Sequence, residues 1–166
     1  PIGRVYSASE LERLARICEA RDVIICSDEI HADFVYDGCR HVPIAALAPE
    51  INRRTITLMS PAKSFNVAGI PFAFAVISDP QLRARYEGAK RGLVPGPGVM
   101  GFTVALAAYR DGDPWLDALL AYLGENRDFA AAFVRDNLPG VAMTPMEGTY
   151  LAWLDCRNAG LAASPH

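Results

Sequence analysis

Cysteine, histidine and one-sided charge are all scarce in this sequence, and no apolar run is long. The four cysteines (Cys18, Cys26, Cys39 and Cys156) and three histidines (His31, His41 and His166) form no CxxC pair and no metal-ligand spacing. That argues against a zinc site and against the disulfide framework of a small secreted domain, so a reducing, cytoplasmic compartment is expected. No apolar run approaches the roughly 20 residues of a membrane-spanning helix, and no membrane partner is expected. The 16 basic residues are interleaved with 19 acidic ones for a net charge of -3, without the basic cluster that tracks a nucleic-acid backbone. Internal repeats, low-complexity tracts and a signal-peptide pattern are also missing. What the sequence does have is apolar content: 51% of its 166 residues are hydrophobic, enough for a folded core.

The apolar residues alternate between two periods. Ser7 and Glu10 have capping-box spacing, and Leu11, Leu14, Ala15 and Cys18 follow with a helical repeat, which predicts a helix over about 8–21. The runs VIICS at 23–27, TITLM at 55–59 and FAFAVI at 72–77 read as strands of a parallel type. IAALA at 44–48 reads as a short helical turn. Asp79 before Pro80 is an N-cap followed by proline at the first helical position, predicting a helix to about Arg91. The glycine- and proline-rich 92–101 reads as a loop, followed by a helix in VMGFTVALAAYR. Asp113 and Pro114 repeat the cap signal before a long helical pattern that lasts to about Asn137. VAMT at 141–144 and TYLAWLD at 149–155 read as strands. The class is α/β.

Two of these strands are followed by residues with complementary chemistry. Asp28 follows VIICS, and Lys63 follows TITLM. Open α/β sheets bind ligands beyond the carboxyl ends of their strands. A lysine amine condenses with an aldehyde, and a carboxylate holds a heteroaromatic nitrogen protonated. Those are the two handles of pyridoxal 5'-phosphate.

Four ordered motifs carry this further: SDEIH at 27–31, SPAKSFNVAG at 60–69, WLDALLAYLGENRD at 115–128 and EGTYLAWLD at 147–155. In these the chain resembles the fold-type I pyridoxal-phosphate enzymes of the class I/II aminotransferase superfamily, and most of all their cystathionine β-lyase branch typified by MalY and PatB. The resemblance implies a pyridoxal-phosphate-dependent transferase-like fold. Residues 1–115 would be part of a mixed-sheet, cofactor-binding large domain, and 116–166 the linking helix and the start of a small C-terminal domain. It also implies a homodimer and a small amino-acid substrate, cystathionine or another cysteine S-conjugate. Pro1 to Tyr6 resemble the second half of an Asn-Pro-x-Gly segment, and family members are more than twice as long. The expectation is therefore an incomplete chain, inactive alone.

On the same resemblance, Lys63 is the Schiff-base lysine and the base that moves the substrate α-proton. Asp28 keeps the pyridine nitrogen charged. His31 stands where many relatives carry a tyrosine near the phenolic oxygen, and Ser60 matches a phosphate-contacting serine. Ala62 replaces a common serine, and Pro71 stands where classical aminotransferases carry a phosphate-binding arginine, a departure that favours the lyase branch. Glu29 reads as a salt-bridge or turn residue and Asn66 as either a loop-orienting or a turn residue, while His41 and His166 have no motif support.

Three alternatives stay open: transamination, which shares the first steps; a non-catalytic truncated or regulatory relative; and a serine hydrolase, because Ser60 and Lys63 also spell S-x-x-K. The last lacks its companion S-D-N and K-T-G elements.

Overall fold

A computed structural model describes residues 2–160; Pro1 and His166, named above, lie outside them. The described residues form two compact units. One comprises Tyr6–Asp33 and His41–Pro114, and the other comprises residues 2–5, 34–40 and 115–160.

The first unit opens with α1 (Ala8–Ala20), whose capping box is complete. The Glu10 backbone N–H donates to Ser7 Oγ at 3.3 Å, and the Ser7 backbone N–H donates to Glu10 Oε2 at 2.9 Å. Such a cap satisfies otherwise orphaned donors and is worth about 1 kcal/mol. One face of α1 buries Leu11 and Ala15 against Ile25, Ile44 and Ile51. Truncating Leu11 to alanine in this cluster costs about 2–5 kcal/mol.

Strand β1 (Ile25–Asp28) runs parallel to β2 (Thr55–Met59), with Ile25 opposite Thr55 and Asp28 opposite Leu58. A parallel pair needs a crossover. Here it contains a 3-10 turn (Ile44–Ala46) and a short helix the sequence reading lacks, α2 (Pro49–Arg53). β3 (Phe74–Val76) corrects the expectation of a third parallel-type strand, because it pairs antiparallel with β2, Thr57 opposite Val76. The chain from Ser60 to Ala73 turns back without a crossover helix, so the strand returns in the opposite sense. The sheet is therefore mixed, in the order β1-β2-β3. Nor are these strands enclosed on both faces as their apolar runs suggest: Cys26, Phe74 and Val76 are exposed.

Helix α3 (Pro80–Lys90) starts as expected, with the Leu82 N–H donating to Asp79 Oδ1 at 2.7 Å. α4 (Val99–Asp111) follows the proline-rich loop. A side chain at Gly101 would put a Cβ 2.9 Å from the Pro71 carbonyl, so this glycine permits the close approach of α4 to the segment before β3.

The second unit is built on the long α5 (Asp113–Asn137) and a two-stranded antiparallel sheet, β4 (Ala142–Met143) with β5 (Leu154–Asp155). The strands expected over 141–144 and 149–155 are thus much shorter. Thr149 takes a left-handed φ of 62°, which breaks an extended run, while its N–H donates to the Phe34 carbonyl at 2.9 Å. Arg127 of the NRD motif has a structural job here. Its guanidinium bonds the Asp37 carboxylate at 2.5 and 3.3 Å, and it lies 5.0 Å over the Tyr36 ring. Among the described residues, no helix is long and apolar enough to cross a membrane.

Candidate functional site

The parallel register of β1 and β2 delivers two turns to the same end of the sheet. The Glu29 N–H donates to the Leu58 carbonyl at 2.9 Å, closing the ladder just past Asp28. Residues 30–33 then turn on the β1 side and residues 61–66 on the β2 side.

Asp28 is exposed, and its Oδ1 accepts the Ile30 N–H at 3.2 Å, an Asx turn that orients the carboxylate. Lys63 is half-buried in a tight stretch where the Phe65 N–H bonds Pro61 O at 3.0 Å and the Val67 N–H bonds Ala62 O at 3.1 Å. Among the described residues its ammonium takes no hydrogen bond or ion pair, so the amine is uncommitted. Asn66, in the same stretch, takes a left-handed φ of 53°, a turn conformation asparagine tolerates.

His31 reports how these groups are gathered. Burial pushes its imidazole below the usual value, the positive charge of Lys63 pushes it further, and the negative charge of Asp28 opposes both. One ring therefore feels both the amine and the carboxylate, which puts three of the four expected site residues in one neighbourhood.

Ser60 is differently engaged. It is buried, its hydroxyl donates to the Phe72 carbonyl at 2.6 Å, and its oxygen accepts the Ala62 N–H at 3.1 Å. Both contacts brace the connection to β3. Ser60 and Lys63 sit at a strand end and in a turn, not on the shared helix face that the S-x-x-K chemistry requires.

Two further pairs escaped the sequence reading. Buried Glu29 accepts Ser27 Oγ at 2.9 Å and meets Nε2 of His41. Burial pushes its carboxyl up, but the bonds from His41 and Ser27 prevail, and it lies below the ordinary glutamate value. Glu29, read as a salt-bridge or turn residue, is held by side-chain hydrogen bonds, and His41 acquires a partner that no local motif announces. Ser64, fully buried beside Lys63, donates its hydroxyl to Asp33 Oδ2 at 2.5 Å. The available signal was only a small hydroxyl residue directly after Lys63, five positions beyond the end of β2.

An uncommitted amine, an oriented carboxylate and an imidazole at the carboxyl edge of an open sheet are the groups with which a carbonyl compound can be captured. The sequence profile of the family "Aminotransferase class I and II" matches residues 1–164. The chain is 36% identical over 163 residues to cystathionine beta-lyase PatB of Bacillus subtilis (strain 168), covering 98% of this chain and 42% of that protein. The crystal structure of OvoB superposes with a TM-score of 0.92 at 46% identity, over 96% of this chain and 42% of that one. The PLP-bound C-S lyase from Staphylococcus hominis gives a TM-score of 0.85 at 36% identity, over 93% and 39%. This chain belongs to the class I and II aminotransferase family, with that family's fold. It spans about two fifths of the length of the relatives it matches.

Proposed function

We propose that this chain carries the lysine-bearing part of a pyridoxal-phosphate-dependent carbon–sulfur β-lyase, which takes cystathionine or another cysteine S-conjugate to a thiol, pyruvate and ammonia. The observation that carries the reading is the uncommitted Lys63 amine within electrostatic reach of His31, at the sheet edge where Asp28 is held by its Asx turn. These residues fit the cofactor's two chemical handles. When bound, pyridoxal phosphate supplies an aldehyde for amines and a ring that accepts electrons once its nitrogen is protonated.

The chain's own residues then have distinct tasks. Lys63 is the nucleophile that holds the cofactor and, once released by the substrate amine, the base that takes the α-proton. Asp28 keeps a proton on the ring nitrogen through a charge-assisted hydrogen bond. His31, held toward its neutral form, would have an N–H to offer the phenolic oxygen or a ring face to pack against the cofactor. To donate to a phosphate oxygen, Ser60 would have to turn its proton away from the Phe72 carbonyl. The lyase branch is favoured over transamination by SDEIH, by Pro71 and by the names of PatB and the Staphylococcus hominis lyase. A homodimer and a cytoplasmic setting belong to the same reading, the latter in keeping with four free thiols.

The test uses the full-length protein loaded with pyridoxal phosphate. Borohydride should fix the cofactor to the peptide containing Lys63, and cystathionine should yield pyruvate. Lys63→Ala should abolish both. Asp28→Asn should keep the covalent attachment yet slow pyruvate release by about two orders of magnitude or more. Normal turnover in Lys63→Ala overturns the reading, while a keto acid without thiol release assigns the protein to transamination.

A further inference from the structure

We propose that Ser64 and Asp33 are positioning residues, whose hydrogen bond sets the separation between the turn carrying Lys63 and the turn carrying Asp28 and His31. The inference rests on the functional reading above and deepens it. Beyond the bond from the Glu29 N–H to Leu58, the Ser64 hydroxyl spans the two turns and reaches Asp33 Oδ2 at 2.5 Å. It does so from a site with 1% exposure, where a hydroxyl without a partner would be costly. Ser64 is the residue after Lys63, and Asp33 is two residues after His31. A small change in this bond therefore moves the amine relative to both groups it must serve.

Helix α4 backs the same link. Burial and the charge of Asp33 together hold the Tyr109 phenol above its usual value, which places the carboxylate close to this side chain. Phe65, on the other side of Ser64, packs edge-on against Tyr109 at 5.7 Å. At the end of α4, Gly112 leaves room for this ring, since a Cβ there would lie 2.5 Å from Phe65 Cε1. The Ser64 end of the bond thus leans on α4 through Phe65, while the Asp33 carboxylate lies within electrostatic reach of the same tyrosine. Placement errors of about 1 Å at a reacting group cost up to roughly 100-fold in rate, so a rigid bridge has a catalytic consequence without touching the cofactor.

The experiment compares Ser64→Ala, Asp33→Asn, the double variant and Ser64→Thr in the full-length, cofactor-loaded protein. Borohydride should still fix pyridoxal phosphate to Lys63 in every variant. For pyruvate release, kcat should fall about 10- to 100-fold with KM nearly unchanged in Ser64→Ala and in Asp33→Asn. The double variant should be no worse than the worse single one, because each removes the same bond. Ser64→Thr, which keeps the hydroxyl, should recover most of the loss. The pH midpoint of the cofactor's absorption band should also move in Ser64→Ala and return in Ser64→Thr, a change that mere loosening of the fold does not produce. Parental kcat and an unmoved midpoint in both single variants overturn the positioning role. So do losses that multiply in the double variant. Borohydride fixation that persists in Lys63→Ala instead locates the failure in the functional reading itself.

Discussion

Nε2 of His41 meets Oε2 of Glu29, fastening the segment that leads into the crossover to the residue directly after Asp28. Glu29 is 6% exposed, and Ser27 Oγ donates to its other carboxylate oxygen at 2.9 Å. Replacing it with alanine strands those donors. The His41 side chain is about a third exposed and can rehydrate, which lowers the cost. Glu29→Ala should lose about 2 kcal/mol in urea unfolding, and His41→Ala less. The sign with pH follows from the lowered carboxyl: the unfolded chain binds more protons, so the contribution is present above the ordinary glutamate value and is lost as pH falls through the folded one. Glu29→Gln should flatten the acid limb of the stability curve.

The His31 imidazole offers a direct reading of the candidate site. Burial lowers it first, Lys63 lowers it further and Asp28 raises it. Lys63→Ala should therefore raise its titration midpoint by NMR, and Asp28→Asn should lower it. Because the folded form resists protonation, stability should rise with pH between the folded value and the ordinary one near 6.5, with no further gain above. His31→Asn should remove that slope. Midpoints that fail to move in both variants would separate His31 from the other two residues.

Tyr36 is buried, yet its hydroxyl has no hydrogen-bond partner among the described residues. The Arg127 guanidinium stacks 5.0 Å over the ring, a contact that phenylalanine preserves in large part. Tyr36→Phe removes only the unpaired group. It should be neutral or stabilising by about 1 kcal/mol in thermal or urea unfolding. A loss of that size would mean that the hydroxyl has an ordered water partner.

The capping signals and the period of the apolar runs made most of the fold legible, because both are local. Ser7, Glu10 and Asp79 state where helices begin, and the structure puts α1 and α3 there. Strand sense is different in kind. FAFAVI reads the same in either direction, and only the path from Ser60 to Ala73 makes β3 antiparallel. The candidate site divides along the same line. Lys63 and Asp28 announce themselves by type and by their place after a strand. The Ser64–Asp33 and Glu29–His41 pairs join residues 31 and 12 positions apart and arise only when the turns are brought together. Ser60 shows the converse, since its motif position says nothing of the Phe72 carbonyl that takes its proton.

Helix α4 and the loop before it present Leu93, Val94, Val99, Met100, Phe102 and Leu106, between 57% and 82% exposed. β3, at one edge of its sheet, adds Phe74 and Val76 at 37% and 53%. Unpaired strand edges and contiguous apolar surface drive association in water. A polypeptide of residues 1–166 should therefore elute as oligomers or aggregate at micromolar concentration, and bind a hydrophobic dye. Charging the helix with Val99→Glu and Leu106→Glu should shift it toward smaller species, since neither position is buried and a carboxylate there opposes self-contact. The same polypeptide should release no measurable pyruvate from cystathionine when supplied with pyridoxal phosphate. A monodisperse, dye-silent monomer that turns over substrate would show that this surface is satisfied within the chain and that the residues described here suffice for an active site.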